Sequence, residues 1–291
     1  MIDYIFLIIS FIIKEKGVRI MKIKYEISNK TDIKSFLIDN YYSLEVIHNL
    51  FLDSELIKVN NEKISYPFII DKGDILEITL PNEISNQKCE DEKIDIVYED
   101  EYIIIVNKPS NLASIATSAH YNHNLGSRVL NYFKKNNIYS KVHFINRLDK
   151  ETQGLVLIAK HQYIHNLFAK TTKITKKYRC YVKNKPQKDH DFIDLPIGKE
   201  DGNIKRFIDY ENGKSSLTEY TVVGFENEKY LLDITLHTGR THQIRLHLSS
   251  IGCPLIGDPL YNDNKDGEFF LQSYYLEFTH PITKEKLKIK I

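Results

Sequence analysis

Only three cysteines occur in the 291 residues, Cys89, Cys180 and Cys253, and no two of them form a Cys-x-x-Cys pair. That scarcity excludes a disulfide framework and a zinc ribbon, and it suits a reducing, cytoplasmic setting. The apolar run that opens the chain, Tyr4 to Ile13, is too short for the roughly 20 residues of a membrane-spanning helix. It also lacks a basic region before it and a small-residue cleavage site after it, so a secretory signal is not expected. An excess of charge is missing as well: the formal net charge is +1. A uniformly basic surface is thereby excluded, although the average hides a local asymmetry. From Lys160 to Lys188 there are nine Lys or Arg and no acid, whereas Pro81 to Glu101 holds eight acids and two lysines. Screening confines a charge's field to about 10 Å at 0.1 M salt, so such a stripe can attract phosphates on a near-neutral molecule.

What is present is ordinary for a globular protein, with 42% apolar and 27% charged residues and enough length for one large domain or two unequal ones. Residues 1–20 read as an N-terminal extension ahead of a natural start at Met21; the alternative is an added strand or a membrane-contacting tail. Asp32 and Ser43 are helix starts, each followed by a recurring apolar stripe, Ile33, Phe36 and Leu37 and then Val46, Ile47, Leu50 and Phe51. A hairpin turning at Asn60-Asn61 and an alternating strand at Leu76, Ile78 and Leu80 complete a small unit over residues 21–81. The acidic, polar residues 82–93 read as a linker. A larger unit, residues 94–291, opens with two strands, Ile94–Tyr98 and Tyr102–Val106.

The stretch that carries chemistry is Asn146-Arg147-Leu148-Asp149-Lys150-Glu151-Thr152-Gln153-Gly154, which feeds the aliphatic run Leu155–Ala159. A polar loop closed by glycine and followed by a strand puts Asp149 at the rim of a sheet, where a catalytic acid would sit. A lone Arg-x-Asp is more often a surface ion pair in a turn, so the rest of the chain must decide. Histidines offer no metal site. His161 and His165 have the spacing of a zinc helix, but position 162 holds Gln162 and not the glutamate that would act as base. His237, His242 and His247 stand five apart and so diverge on either a helix or a strand.

Several stretches resemble one family. Asn146–Gly154 resembles the His-Arg-Leu-Asp-x-x-Thr-Ser-Gly motif of the RluA-type pseudouridine synthases; Asn107-Lys108-Pro109, Lys176-Lys177-Tyr178, Thr238-Gly-Arg-Thr-His-Gln-Ile-Arg-Leu-His247 and Gly257-Asp-Pro-Leu-Tyr261 resemble its other motifs, in its order. The resemblance covers roughly residues 95 to 285. It implies an α+β catalytic domain on a mixed, largely antiparallel sheet. It also implies Asp149 as the essential carboxylate, Tyr178 as the active-site tyrosine and Arg245 as the guanidinium paired with Asp149. Arg147, Leu246, Lys108, Lys177 and Arg240 are implied as RNA-binding, Arg147 entering the RNA and Leu246 lining the base pocket. Two residues depart from the motif: Asn146 replaces histidine and Gln153 replaces serine. Asn can still hydrogen-bond through its amide. Residues 21–81 resemble the S4 RNA-binding domain in their order of helices and strands. Where S4 helices present several arginines, however, this segment offers Lys34 and His48 among Asp39, Glu45, Asp53 and Glu55.

The implied reaction breaks the bond from C1′ to N1 of a uridine, turns the base and joins C5 to C1′. The product is an isomer, so neither a metal nor a redox cofactor is required. A glycosidase needs two carboxylates, and one recognisable catalytic carboxylate suits a reaction without a water step. The expected partner is structured RNA, ribosomal before transfer RNA, acted on by a monomer with no membrane. Two other readings stay open: a non-enzymatic RNA-binding or ribosome-assembly protein that kept the fold, and a nucleoside hydrolase, which would need a second carboxylate.

Overall fold

The computed structural model describes residues 9–15, 18–116, 122–264 and 267–291. Its N-terminal part begins with a hairpin of β1 (Ile9–Glu15) and β2 (Val18–Glu26), so Met21 falls inside β2 with a paired strand ahead of it. Of the extension expected over residues 1–20, residues 1–8, 16 and 17 lie outside those described. β3 (Thr31–Asp32) leads into α1 (Ile33–Asp39), where the Asp32 carboxylate accepts from the N–H of Ser35 at 2.9 Å. α2 (Leu44–Leu52) is capped in the same way by Ser43 on Val46 N–H. Each cap satisfies a donor that the first helical turn leaves free. β4 (Ile57–Val59) and β5 (Glu62–Lys63) join through Asn60 and Asn61, both with positive φ, as a two-residue hairpin turn requires. β6 (Ile69–Ile70) pairs with β3, and β7 (Ile75–Thr79) completes an antiparallel sheet ordered β1-β2-β7-β4-β5.

The second part is one ten-stranded sheet flanked by helices. In chain order it supplies β8 (Asp95–Glu99), β9 (Ile103–Lys108), α3 (Leu125–Lys135), β10 (His143–Phe144), β11 (Gln153–Ala159), α4 (Gln162–Thr171) and β12 (Thr175–Val182). There follow β13 (His190–Asp194), the hairpin β14 (Ile197–Lys199) and β15 (Arg206–Ile208), then β16 (Leu217–Glu226), β17 (Lys229–Leu236), α5 (Gln243–Ser250), β18 (Leu271–Thr279) and β19 (Lys286–Lys290). The path β13-β16-β17-β12-β18-β11-β9-β8 is antiparallel except where β11 runs parallel to β18, with β10 on β11 and β19 on β18. This is the mixed, largely antiparallel α+β sheet expected. The all-aliphatic runs of β9 and β11 follow from burial on both faces. Ile104, Val106, Val156 and Ile158 pack with α3 and α5, and Ile103, Ile105, Leu155 and Leu157 share the opposite core with α4.

That second core runs on into the N-terminal part. Tyr25 on β2 meets the hydroxyls of Tyr42 at 2.9 Å and of Tyr163 on α4 at 2.8 Å, and Tyr42 stacks on Tyr163 with ring centroids 4.1 Å apart. Residues 82–93, expected as a linker, form a strap held against the catalytic sheet and α3. The Glu83 carboxylate accepts from His143 and Ser140, Glu90 pairs with Arg128, and Asp91 pairs with Lys135.

The basic stretch from Lys160 to Lys188 is not one surface. Lys160 is buried in a pair with Glu99, Lys177 faces Asp233, Lys185 pairs with Asp189 and Lys188 with Asp191. Alternation along β12 explains part of this, since neighbouring lysines point to opposite faces of the sheet. Among the described residues no helix is long and apolar enough to cross a membrane.

Candidate active site

The loop between β10 and β11 carries Asp149, and three separate anchors hold it. Asn146, buried, accepts from Leu157 N–H at 2.7 Å through Oδ1 and donates to the Leu155 carbonyl through Nδ2, so the amide ties the loop to β11 from both sides. The Ser114 hydroxyl donates to the carbonyl of Leu148 at 2.6 Å and accepts its N–H at 3.2 Å. Lys108 is fully buried, and its ammonium donates to the carbonyls of Pro109, Leu112 and Lys150 at 2.9, 2.7 and 3.0 Å. All three of its N–H groups are therefore consumed inside the protein. Lys108 is thus a clamp on the Asp149 loop and not an RNA contact, which corrects the expectation from sequence. At the loop's far end Gly154 has φ +111, and a Cβ there would lie 2.2 Å from the backbone oxygen of Ser273, so only glycine lets β11 meet β18.

Asp149 opens into a cavity of about 720 Å³ whose walls come from this loop, β12, β15 and the turn into α5. Six cationic side chains line it, Arg147, Lys150, Lys176, Arg206, Arg240 and Arg245, and Asp149 is the single carboxylate among the lining residues. Tyr178, only 5% exposed, lines it from β12. Burial pushes the Tyr178 hydroxyl well above its usual range, against a hydrogen bond with Ser273, and the charge of Asp149 pushes it further the same way. Tyr178 is therefore a neutral hydroxyl next to the carboxylate. Burial likewise raises the Asp149 carboxyl; His242, in its protonated form, and Arg245 pull it down, Glu151 pushes it up and Lys108 pulls it down, leaving it raised.

Arg245 is fully buried and its charge acts on Asp149, yet its hydrogen bonds go elsewhere. Nε and Nη2 grip Asp258 at 2.8 and 2.7 Å, and Nη1 reaches Glu151 at 3.3 Å. The sequence expectation of a direct pair with Asp149 is corrected accordingly: Arg245 acts on Asp149 through its charge, from a seat that Asp258 fixes. α5 starts at His242 with φ +58, and the buried Gln243 holds this turn by accepting from Thr238 and Arg240 N–H and donating to Leu217 and Thr218.

Of the residues expected to meet RNA, Arg147 and Arg240 line the cavity, and Arg147 is exposed at its mouth. Leu246 does not line it; it packs with Ile197 and Tyr261, while Ile244 and Leu271 supply apolar wall. Residues two apart on a helix point about 200° from each other, so Ile244 and Leu246 cannot share this role. Lys177 is turned to Asp233, 3.8 Å away, and its neighbour Lys176 lines the cavity instead. Sequence reasoning missed Arg206 as a cavity residue and Asp258 as the partner of Arg245, while Lys176 stood in the motif that ends at Tyr178. Of the two, Asp258 had a signal, its place in the Gly257–Tyr261 motif. His237, His242 and His247 turn to Glu219, to Tyr261 and to Thr218 with Leu195. Among the described residues no group of three His, Cys, Asp or Glu side chains is placed to hold a metal.

The pattern of the RNA pseudouridylate synthase family matches residues 102–250. An uncharacterised RNA pseudouridine synthase of Aquifex aeolicus is 34% identical over 258 residues, 81% of this chain and 81% of that protein. The ribosomal large subunit pseudouridine synthase D of Nitrosomonas europaea is 33% identical over 204 residues, 65% of this chain and 58% of that protein. Human RNA pseudouridylate synthase domain containing 1 has the same fold, with a TM-score of 0.55 at 22% identity, over 69% of this chain and 84% of that one. With the motifs in order and the fold that carries them, the chain belongs to the RNA pseudouridylate synthase family, as an isomerase of the RluA type.

Proposed function

We propose that this chain converts particular uridines of structured ribosomal RNA into pseudouridine, with Asp149 as the essential carboxylate. The observation that carries the reading is convergence: a loop, a strand and a helix bring Asp149, Tyr178 and the charge of Arg245 to one cavity whose remaining charges are cationic. Such a wall attracts the phosphates on either side of a flipped nucleotide. The base itself needs an apolar and aromatic seat, which Tyr178, Ile244 and Leu271 supply; stacking on an aromatic is worth about 1–3 kcal/mol per base. Asp149 acts at the sugar as nucleophile or as base. Arg147 enters the RNA, and Arg240 holds its backbone. The ribosomal substrate rests on the name borne by the Nitrosomonas relative.

The N-terminal helices and strands orient the RNA as an S4-like unit, and the protein works in the cytoplasm as a monomer. The test is to map pseudouridine in cellular ribosomal and transfer RNA with and without the gene, and to repeat it with Asp149→Asn supplied in its place. A ribosomal site lost in both strains is the expected result. Loss confined to transfer RNA would move the substrate, and no loss at all would sink the reading.

A further inference from the structure

His242 is the one histidine in the cavity wall, and its hydrogen bonds fix where its proton sits. Nδ1 lies 3.0 Å from the hydroxyl of Tyr261, and that same oxygen lies 2.7 Å from the backbone nitrogen of Arg206. An amide N–H can only donate, so the Tyr261 oxygen accepts from Arg206; among the described residues His242 Nδ1 is the one acceptor within reach of the hydroxyl's own proton, which is therefore directed there. Nδ1 must then carry a lone pair. The ring is the neutral tautomer with its hydrogen on Nε2, on the edge turned away from Tyr261. Among the described residues no acceptor lies within hydrogen-bond distance of Nε2, so this donor is offered to whatever occupies the cavity.

The ring's placement is strongly constrained. His242 has φ +58, a left-handed backbone that residues other than glycine adopt rarely and that persists where the surroundings impose it. Its ring meets Tyr261 edge-on, with centroids 5.7 Å apart, and its carbonyl accepts Leu246 N–H at 2.9 Å to start α5. The charged groups around it are Asp149 and Glu151 from the catalytic loop, Arg245 from α5 and Arg206 from β15. Burial and the two arginines disfavour an imidazolium, and the two carboxylates favour it; the ring is held below its usual range.

We propose that His242 is a catalytic hydrogen-bond donor whose Nε2–H meets a carbonyl oxygen of the target uracil and stabilises the charge the base gains as its bond to the sugar breaks. The proposal rests on the pseudouridine synthase reading of this cavity. When C1′–N1 breaks, the electron pair leaves with the base and spreads over N1, O2 and O4. Asp149 meanwhile either bonds to C1′ or takes a proton from the sugar. On the return, C5 bonds to C1′, the C5 hydrogen leaves as a proton, N1 gains one, and Asp149 is restored. His242 keeps its proton throughout. A neutral donor suits this task because its bond strengthens only as charge develops on the oxygen. An imidazolium would pair with Asp149 and quench the carboxylate it must leave free.

The experiment is single-turnover isomerisation of an RNA with one target uridine, read beside RNA affinity. Glutamine places its amide near Nε2 and asparagine places it near Nδ1. His242→Gln should therefore stay within about tenfold of wild type, while His242→Asn and His242→Leu lose about 100-fold, with RNA affinity unchanged. Histidine nitrogen NMR should show Nδ1 bare and Nε2 protonated, a bias that Tyr261→Phe weakens. Replacing the uracil O2 or O4 by sulfur should slow the wild type at one of the two, and at that position cost His242→Asn nothing further. Equal rates for all variants, a protonated Nδ1, or sulfur effects fully additive with the substitution would each overturn the proposal. A wild-type protein that makes no pseudouridine would instead sink the reading beneath it.

Discussion

Arg245 is seated by Asp258 and not by the carboxylate it serves. Both donors on one edge of its guanidinium reach the two oxygens of Asp258, at 2.8 and 2.7 Å, and both side chains are fully buried. The Asp258 oxygen nearer Nη2 also accepts Leu260 N–H at 2.8 Å and Tyr261 N–H at 3.2 Å, so the loop after α5 is folded around it. The same loop presents Tyr261 to His242. One buried pair thus fixes a positive charge that acts on Asp149 and, through Tyr261, orients His242 in the wall of the same cavity.

Removing one partner of such a pair strands a buried charge, at a cost of about 3–5 kcal/mol. Asp258→Ala is therefore expected to lower the free energy of urea unfolding by that amount and to slow catalysis, although Asp258 does not line the cavity. Arg245→Lys should also fail, because a lysine ammonium cannot reproduce the two-pronged contact. Urea unfolding that leaves Asp258→Ala within about 1 kcal/mol of wild type would show that the pair does not hold the loop.

Lys108 and Lys176 separate a clamp from a phosphate contact. Lys176→Met should reduce the slope of log affinity against log salt by about one unit, and Lys108→Met should leave that slope unchanged while impairing activity. Lys108 also has a signature in stability. Burial lowers its ammonium to about 8, Asp149 and Glu151 opposing, from an ordinary 10.5. Between those values the unfolded chain binds more protons than the folded one, so this group makes stability rise with pH from about 8 to 10.5. Wild type should show that rise relative to Lys108→Met in denaturation at fixed pH.

What the sequence disclosed was local. Asp149 announces itself because its loop, its glycine and its strand are contiguous, and β12 shows Tyr178, Cys180 and Val182 on one buried face. The partner of Arg245 was hidden, since a loop closure thirteen residues away decides it and nothing in the spacing distinguishes Asp258 from Asp149. Lys108 stands in a recognisable turn, but a motif records that a lysine is needed and not whether it faces phosphate or backbone. Arg206 was hidden for a different reason: it comes from a short hairpin, β14–β15, with little apolar pattern. The acidic strap over residues 82–93 has the composition of a linker, and only the folded structure shows His143, Arg128 and Lys135 waiting for its carboxylates.

Glu83 tests that strap. Burial alone would raise its carboxyl, but the hydrogen bond from His143, the charges of His161 and His143 and the Ser140 hydroxyl outweigh it and bring it down to about 2 from 4.5. The sign is that of a depressed carboxylate: the stabilisation is fully present above about 4.5 and is lost as pH falls toward 2. Its size is on the order of 3 kcal/mol, the side chain being 10% exposed. Glu83→Gln should lower stability at pH 7, and the gap to wild type should close by pH 2–3. A gap that is the same at both pH values would mean the carboxylate's charge is not what fastens the strap.

The final prediction concerns the joint between the two parts of the chain. A polar linker suggests parts that separate, but Tyr163 on α4 is 1% exposed, and Tyr25 and Tyr42 from the N-terminal part lie against it. The core there also takes in Leu37, Ile47 and Ile78 on one side and Ile164, Phe168 and Leu276 on the other. Exposing a large apolar side chain costs about 1.5–3 kcal/mol, and a whole domain is stable by only about 5–15 kcal/mol. Residues 82–291 alone are therefore expected to aggregate or to bind a hydrophobic dye, and the full chain should unfold in one transition. Tyr25→Phe, which keeps the ring and removes the hydroxyl shared with Tyr42 and Tyr163, should cost about 1 kcal/mol and leave that single transition intact. A soluble, active fragment of residues 82–291, or two separate transitions in the full chain, would show that the tyrosine contact does not couple the two parts.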